Sequence, residues 1–344
     1  MFECLCVRAN NHNQTQVQNL TQHFDTDGVY IDQIAAAGPK PCFDSSHGHR
    51  FGGGNHWVTG YANMLEKIQD IASKKMILTE SNAEPFMSGV DIFLTLVGYL
   101  SGDLPGTKNS DSVMVPSFQS IYGGFVITMG AEFYRTDFDN PDVFAARIAA
   151  QFVFGSILGW FSLGGRTDVS GSMRLYELLM SPTYDDEIFY LKRLALARRA
   201  ARDFMVYGRS GRGVDLIVNG TSHQSHENTF ETVRRMSHSR DIRTTSQSFP
   251  DVMSGTWISP FEDSLCVVLT TVKRSTWALV SSTINMTMFE MKELDTEAQY
   301  GIFEIPLDGA EPIPLEGRFS PEHITFEIPI GVRDVRLLWI RAVA

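Results

Sequence analysis

Short apolar runs alternate with amphipathic segments through the first half of the chain. The run GVYIDQI at residues 28–34 is rich in β-branched and aromatic side chains, and it predicts a strand. Apolar residues then recur at helical spacing and predict an amphipathic helix over residues 55–73. Further strands are predicted at KMILTE, VDIFLTLV, VPSFQSIYGG and SILGWFSLGG. This alternation is typical of a parallel sheet with helices outside it.

The second half of the chain has a different pattern. Asn140-Pro141 opens an apolar helix, and a last helix is predicted over residues 186–206. Beyond Tyr207, short apolar runs separated by turn residues predict an antiparallel β domain, most simply a β-sandwich. The polar stretch from Asn219 to Ser248 predicts a loop-rich entry to it. The predicted domains are therefore residues 1–206, which are α/β, and residues 207–344, which are all-β.

The number of predicted parallel strands is too small for a complete α/β barrel. About five precede the β domain, whereas a full α/β barrel needs eight. An open doubly wound sheet is an alternative, but GGGN at residues 52–55 lacks a lysine and the spacing of a phosphate-binding turn. We therefore predict a partial (β/α)8 barrel, about strands four to eight, with the first strands absent.

Composition narrows the classes of partner. Hydrophobic content is 43% and the formal net charge is −11, which argues against a nucleic-acid partner held by a general basic surface. The most apolar segment contains Arg147 and Gln151, so it predicts core rather than a membrane span. The first residues do not have the pattern of a secretory signal, although absent leading strands would leave localisation open.

Two predicted strands end in a carboxylate. Asp32 and Glu80 lie at the carboxyl ends of consecutive strands, where α/β barrels carry their chemistry. Adjacent strands are about 5 Å apart, so the two carboxyl groups match the separation of about 5 to 5.5 Å in a retaining glycosidase. The structural alternative is that Asp32 caps a loop and Glu80 pairs with an arginine.

Polar and aromatic residues near these strand ends suit a sugar, whose hydroxyls need hydrogen bonds and whose ring faces stack on aromatic rings. We predict that the substrate-binding residues are Gln33, Asp44, His47, His49, Trp57, Asn82, Glu84, Gln119, Tyr122 and Trp160. Tyr122 and Trp160 are expected to line the same pocket as Asp32.

The segments DGVYIDQIAAAGPKPCFDSSHGHRFGGGNHWVTGY, LTESNAEPF and SFQSIYGGF resemble a family of glycoside-hydrolase-like barrels catalogued as a domain of unknown function. That family is similar in outline to endo-α-N-acetylgalactosaminidases and, more remotely, to α-galactosidases. The resemblance covers roughly residues 22–165. It implies a (β/α)8 barrel with a C-terminal β-sandwich, of which this chain resembles the later part, from strand four onward. By analogy with these relatives, Asp32 is the nucleophile and Glu80 the acid/base.

Two other functions stay open. His47, His49 and His56, with a nearby carboxylate such as Asp32, could form the site of a metal-dependent hydrolase. No H-E-x-x-H helix spacing supports that function, so neither a metal nor another cofactor is expected. A partial barrel with a β-sandwich could instead bind glycans without turnover.

Overall fold

The computed structural model describes residues 5–95, 115–130, 133, 141–159, 182–222, 227–235, 242–272, 278–286, 299–320 and 323–343. Within these ranges, residues 5–11 and 222–248 are described by their backbone alone. The chain forms two compact units, one of residues 1–96 with 126–129 and one of residues 97–125 with 130–344. In the described part of the chain, none of the helices has the length and apolarity that a membrane crossing requires.

The first unit is built on four parallel strands in sequential order. They are β1 (Gly28–Ile31), β2 (Met76–Glu80), β3 (Ile92–Leu94) and β4 (Ile127–Met129). Its helical segments are α1 (Leu5–Gln18), a π-helical turn (Asn19–His23), α2 (His56–Ala72) and two 3-10 turns (Ser45–His47 and Glu84–Phe86). The predicted helix at 55–73 and the predicted strands at KMILTE and VDIFLTLV are confirmed.

Helix α2 forms because its apolar residues recur on one face. Met64, Leu65, Ile68 and Ala72 are all buried, at the i, i+4 and i+8 spacing of a helix packed on one side. The helix ends at Ser73, whose left-handed backbone closes the last turn with a bond from its N–H to the carbonyl of Gln69.

Within the described residues, the second unit combines four helices with two larger antiparallel sheets and one antiparallel strand pair. The helices are α3 (Ser117–Tyr122), α4 (Pro141–Val153), α5 (Asp185–Ala200) and α6 (Arg202–Met205), with a 3-10 turn at Pro182–Tyr184. The strands are β5 (Arg209–Ser210), β6 (Leu216–Val218), β7 (Thr221–Ser222), β8 (Glu227–Arg235), β9 (Ile242–Pro250), β10 (Val252–Ile258), β11 (Ser264–Thr271), β12 (Ala278–Asn285), β13 (Gln299–Glu304), β14 (Ile313–Pro314), β15 (Gly317–Phe319), β16 (His323–Ile330) and β17 (Val335–Val343).

The sheets follow the orders β14-β13-β17-β11-β10-β5 and β15-β16-β12-β6-β7, with β8 paired to β9. The predicted antiparallel strands beyond residue 207 are therefore confirmed.

Strand β11 lies at the centre of this unit, and all its residues are buried. Leu265, Val267 and Leu269 belong to the apolar core shared by the two larger sheets. The alternate residues Cys266 and Val268 belong to a second core, formed with helices α4, α5 and α6. Burial raises the pKa of the Cys266 thiol, so this cysteine is held as an inert core residue.

Two sequence predictions differ from the observed secondary structure. VPSFQSIYGG contains helix α3 rather than a strand, because Phe118, Ile121 and Tyr122 follow the spacing of a helix; the fourth parallel strand is β4, which lies further along the chain. The polar stretch from Asn219 to Ser248, expected to be loop-rich, contains strand pairing between β8 and β9. The predicted strand at SILGWFSLGG extends outside the described residues; at its start, Ile157 accepts one backbone bond from Gly130.

The predicted helix over residues 186–206 is divided in two at Ala201, between α5 and α6. The predicted domain limits, 1–206 and 207–344, stay a prediction.

A buried arginine joins two helices of the second unit to the turn between β16 and β17. Arg333 donates to Glu187 at 2.8 Å and to Asp142 at 3.1 Å, and also to the backbone carbonyl of Pro141 at 2.8 Å. The side chain of Arg333 is 4% exposed and that of Glu187 is fully buried. Because both charges lie away from water, each depends on the other for solvation.

Removing one partner of this buried pair should strongly destabilise the second unit. We expect Arg333→Ala to lower the free energy of unfolding by about 3–5 kcal/mol, because it leaves the Glu187 carboxylate buried without its cation. Chemical denaturation followed by circular dichroism measures the change. Lys75→Ala, which breaks the exposed pair with Asp25, is the control and should cost less than about 1 kcal/mol. Equal effects in the two variants would contradict the prediction.

Candidate active site

The parallel register of β1 and β2 places Asp32 beside Glu80. Ile31 is paired with Thr79, so the next residue along each strand is a carboxylate. Neighbouring strands are about 4.8 Å apart, which brings the two side chains within reach of each other.

Both carboxylates point to the same face of the sheet. Val29 and Ile31 on β1, and Ile77 and Thr79 on β2, are buried. Side chains alternate between the two faces of a strand. Asp32 and Glu80 therefore lie on the opposite, more open face, where Asp32 is exposed and Glu80 is half-buried.

Each carboxylate has a neutral donor. The hydroxyl of Tyr30 donates to Oδ1 of Asp32 at 3.2 Å. The side-chain amide of Gln33 donates to Oε2 of Glu80, so a residue next to Asp32 holds the partner carboxylate. In the described part of the chain, neither Asp32 nor Glu80 forms an ion pair with a basic side chain. The structural alternative, in which Glu80 pairs with an arginine, therefore has no support among these residues.

The carboxyl group of Glu80 interacts with that of Asp32. Burial raises the pKa of Glu80 above its ordinary value of 4.5, and the hydrogen bond to Asp32 and the negative charge of Asp32 raise it further. Two carboxyl groups in contact resist full ionisation, because the second negative charge is repelled by the first. Glu80 therefore keeps its proton to a higher pH than an ordinary glutamate does.

Both strands end with the same backbone feature. Gln33 and Ser81, the residues that directly follow Asp32 and Glu80, have left-handed φ values of 65° and 62°. This conformation is uncommon for residues other than glycine, and backbone strain of this kind is concentrated at functional sites. The left-handed residues turn the chain out of the sheet immediately after each carboxylate.

The loop after β1 contains a second cluster of polar side chains. His47 Nδ1 lies 3.2 Å from Cys42 Sγ, and His47 Nε2 lies 3.1 Å from Asp44 Oδ2. The hydroxyl and the backbone N–H of Ser46 donate to Asp44 at 2.6 and 2.8 Å, and these bonds lower the pKa of its carboxyl. Candidate ligating atoms of Cys42, His47 and His49 all lie within 4.8 Å of one another.

A row of rings continues from this cluster along helix α2. His49 stacks on His56 with ring centroids 4.5 Å apart, and Trp57 packs edge-on against Tyr61 at 5.3 Å. A glycine is required at residue 53, because a Cβ atom there would lie 2.5 Å from the His56 ring. His49 and Trp57, both predicted from sequence, therefore belong to one aromatic row.

The other predicted binding residues are placed as follows. Asn82 accepts a hydrogen bond from Thr95 at 3.2 Å, beyond the end of β3. Glu84 is exposed at the start of its 3-10 turn. Gln119 is buried and Tyr122 half-buried on α3, in the second compact unit. Trp160 lies outside the described residues. The predicted pocket shared by Asp32, Tyr122 and Trp160 therefore stays a prediction.

Sequence reasoning missed two contributors. Cys42 was not considered with the histidines, although it stands five residues before His47. Thr95, at the end of β3, had no distinguishing signal in the sequence.

Comparison with known proteins supports a resemblance to glycoside hydrolases. Residues 6–134 match the family model described as Domain of unknown function (DUF6259). The chain is 34% identical over 260 residues to "Putative glycoside hydrolase 22789" of Monosiga brevicollis, covering 74% of this chain and 20% of that protein. It is 30% identical over 188 residues to a "Putative glycoside hydrolase" of Bacteroides thetaiotaomicron, covering 54% and 24% respectively. The chain is glycoside-hydrolase-like in sequence, and it spans about a fifth to a quarter of the length of these relatives.

Solved structures give weaker likenesses. A maltogenic α-amylase of Thermotoga neapolitana aligns with a TM-score of 0.47 at 10% identity, over 97% of this chain and 66% of that one. An α-amylase of Geobacillus thermoleovorans aligns with a TM-score of 0.45 at 10% identity, over 97% and 64%. At these scores the likeness carries no argument about fold or function.

The raised pKa of Glu80 should make stability depend on pH. A carboxyl whose pKa is raised on folding stabilises the folded chain below its unfolded value, near 4.5, and this contribution is lost as pH rises through the folded value. We expect Glu80→Gln, which imitates the protonated form, to gain stability relative to the unsubstituted chain between about pH 4 and pH 7. Thermal melts across this range measure the difference.

The exposed neighbour Glu84 provides the matched control for this pH series. Glu84→Gln should not reproduce the pH-dependent difference, because it removes no contact to Asp32. A Glu80→Gln difference that does not change with pH would show that the pKa of Glu80 is not raised in solution.

Proposed function

We propose that this chain carries the two catalytic carboxylates of a retaining glycoside hydrolase, with Asp32 as nucleophile and Glu80 as general acid/base. The observation that supports this most is the contact between the two carboxyl groups at adjacent strand ends, combined with the raised pKa of Glu80. Resemblance to proteins named as glycoside hydrolases supports the same class of reaction.

The environment of each carboxyl suits its proposed role. Asp32 is exposed and receives a bond from Tyr30, so its side chain is accessible for attack on an anomeric carbon. Glu80 is half-buried with a raised pKa, so it can begin the reaction protonated and give that proton to the departing oxygen. Attack by Asp32 forms a covalent glycosyl ester as the glycosidic bond breaks. Glu80, now ionised, takes a proton from water, and the resulting attack releases the sugar and Asp32.

The closeness of the pair favours retention over inversion. Inverting enzymes hold their carboxyl groups about 6.5–9.5 Å apart so that a water molecule fits between one carboxylate and the sugar. The register of β1 and β2 and the interaction of Asp32 with Glu80 fit the shorter separation of about 5–5.5 Å in retaining enzymes, which a modest side-chain rotation can set. Gln33, which bonds to Glu80, is positioned to control that rotation.

The proposal includes a fold and a set of binding residues. The four parallel strands are proposed to be consecutive strands of a (β/α)8 barrel, and the antiparallel sheets to form a C-terminal β-sandwich. The loop residues Asp44, His47 and His49, the helix residue Trp57, and Asn82 and Glu84 after β2 are proposed to surround the carbohydrate. Gln119, Tyr122 and Trp160 stay predicted as sugar-binding residues.

Activity of the full-length gene product against a panel of aryl glycosides tests the pair. We expect Asp32→Ala to abolish turnover and Glu80→Ala to reduce it by about 10²–10⁴-fold on substrates with poor leaving groups. For substrates whose leaving group is a very acidic phenol, Glu80→Ala should lower the rate of the first step much less. Such a phenol departs without receiving a proton. Added azide should restore turnover in Glu80→Ala and yield a glycosyl azide of retained configuration.

Glu66→Gln, which alters an exposed glutamate on helix α2, is the matched control and should keep nearly full activity in the same panel. Full activity in Asp32→Ala would remove Asp32 from the mechanism. If the unsubstituted protein binds sugars but does not hydrolyse them, its function is glycan binding rather than catalysis.

A further inference from the structure

We propose that Cys42, His47 and His49 form a binding site for a divalent transition metal, with Zn²⁺ as the best match, in the loop between β1 and α2. This site is separate from the carboxylate pair, since the group within 4.8 Å contains neither Asp32 nor Glu80. A thiolate and two imidazoles are ligands that zinc prefers.

The pattern of burial in the loop gives the first argument. From Gly38 to Phe51, every residue is exposed except Cys42, His47 and His49, which are half-buried. The two phenylalanines of this segment, Phe43 and Phe51, are 64% and 69% exposed, so no apolar core holds the loop. Small segments that lack a core are commonly held by a metal or a disulfide. Here the inward-facing residues are the three metal-ligating side chains themselves.

The outer hydrogen bonds of the two histidines give the second argument. His47 Nε2 faces the carboxylate of Asp44 at 3.1 Å, so that nitrogen carries a proton and Nδ1 presents its lone pair toward Cys42. His49 Nδ1 lies 2.9 Å from the carbonyl of Arg50, which accepts only from a protonated nitrogen. The lone pair of His49 is therefore on Nε2. Metal-bound histidines are usually oriented in this way, by a carboxylate or a carbonyl on the outer nitrogen.

The unused nitrogen of His49 gives the third argument. Among the described residues, His49 Nε2 is buried and has no hydrogen-bond partner. A buried nitrogen lone pair without a donor is unfavourable, and a bound cation would satisfy it. A simple thiol–imidazole–carboxylate triad of Cys42, His47 and Asp44 would leave this nitrogen unexplained, so the geometry favours the metal.

The observed spacing needs only a small adjustment to accept zinc. Zinc lies about 2.3 Å from sulfur and about 2.0–2.1 Å from nitrogen, so two ligands of a tetrahedral site are about 3.3–3.6 Å apart. The separation of Cys42 Sγ and His47 Nδ1 is 3.2 Å, and the other pairs lie within 4.8 Å. Binding would release the thiol proton of Cys42. Three protein ligands leave a fourth position, which water can fill.

Titration of the 344-residue chain with Co²⁺ and Zn²⁺ tests the site without any activity assay. Cys4 and Cys6 are first replaced by serine, and Cys266 is fully buried, so a thiolate signal reports on Cys42. We expect about one Co²⁺ per chain, with the near-ultraviolet charge-transfer absorption of a thiolate ligand, and its displacement by Zn²⁺. Cys42→Ser should abolish that absorption, and His49→Gln should greatly weaken binding. Asp44→Asn, which removes only the outer hydrogen bond to His47, should weaken binding by about 10–100-fold.

His23→Gln, which alters an exposed histidine outside the loop, should leave the titration unchanged. Tryptic cleavage after the exposed Arg50 should slow when Zn²⁺ is added, and should not slow in Cys42→Ser.

Equal metal binding by Cys42→Ser and the parent would overturn the proposal. Rapid alkylation of Cys42 by iodoacetamide that Zn²⁺ does not suppress would overturn it in favour of a thiol nucleophile. Because these measurements need no turnover, they are independent of the proposed glycosidase chemistry.

Discussion

The parallel pairing of β1 with β2 is the constraint on which the candidate active site depends. Since Ile31 is opposite Thr79, the following residues of the two strands are forced to lie abreast and on one face. Both of those residues are acidic, and their contact has a direct electrostatic consequence in the raised pKa of Glu80. A shift of one residue in this register would place the carboxyl groups on opposite faces of the sheet and remove the interaction.

Much of the first unit could be predicted from local sequence. Strands β1 and β2 are continuous apolar runs that end in a carboxylate, and helix α2 has a clear helical period, so each element is specified by its own residues. The assignment failed where the local signal was mixed. VPSFQSIYGG contains both β-formers and residues at helical spacing, and the helical spacing determined the structure of Ser117–Tyr122. The β8–β9 pairing escaped prediction because its residues are polar and a hairpin is stabilised across strands rather than along them.

The candidate site shows a similar division. The proximity of Asp32 and Glu80 could be predicted, because the carboxyl ends of parallel strands lie at one edge of a sheet. This prediction requires only the order of strands and helices along the chain. The bond from Gln33 to Glu80 could not be predicted, because side-chain partners depend on rotamers and on the left-handed turn at Gln33. The proximity of Cys42 to the two histidines was missed for a related reason: these residues lie in a loop whose path no periodic pattern specifies.

The long connection between β1 and α2 links the carboxylate pair to the cluster of Cys42, His47 and His49. Its chain leaves the sheet directly after Asp32 and does not enter a regular helix until His56, apart from one 3-10 turn. A connection of this length has a large conformational entropy when free, and ordering it requires favourable contacts that exposed residues cannot supply. The half-buried Cys42, His47 and His49 provide such contacts, and a metal held by them would fix the loop that begins at the proposed nucleophile. A rigid loop there would maintain the left-handed turn at Gln33, and with it the hydrogen bond that orients Glu80 toward Asp32.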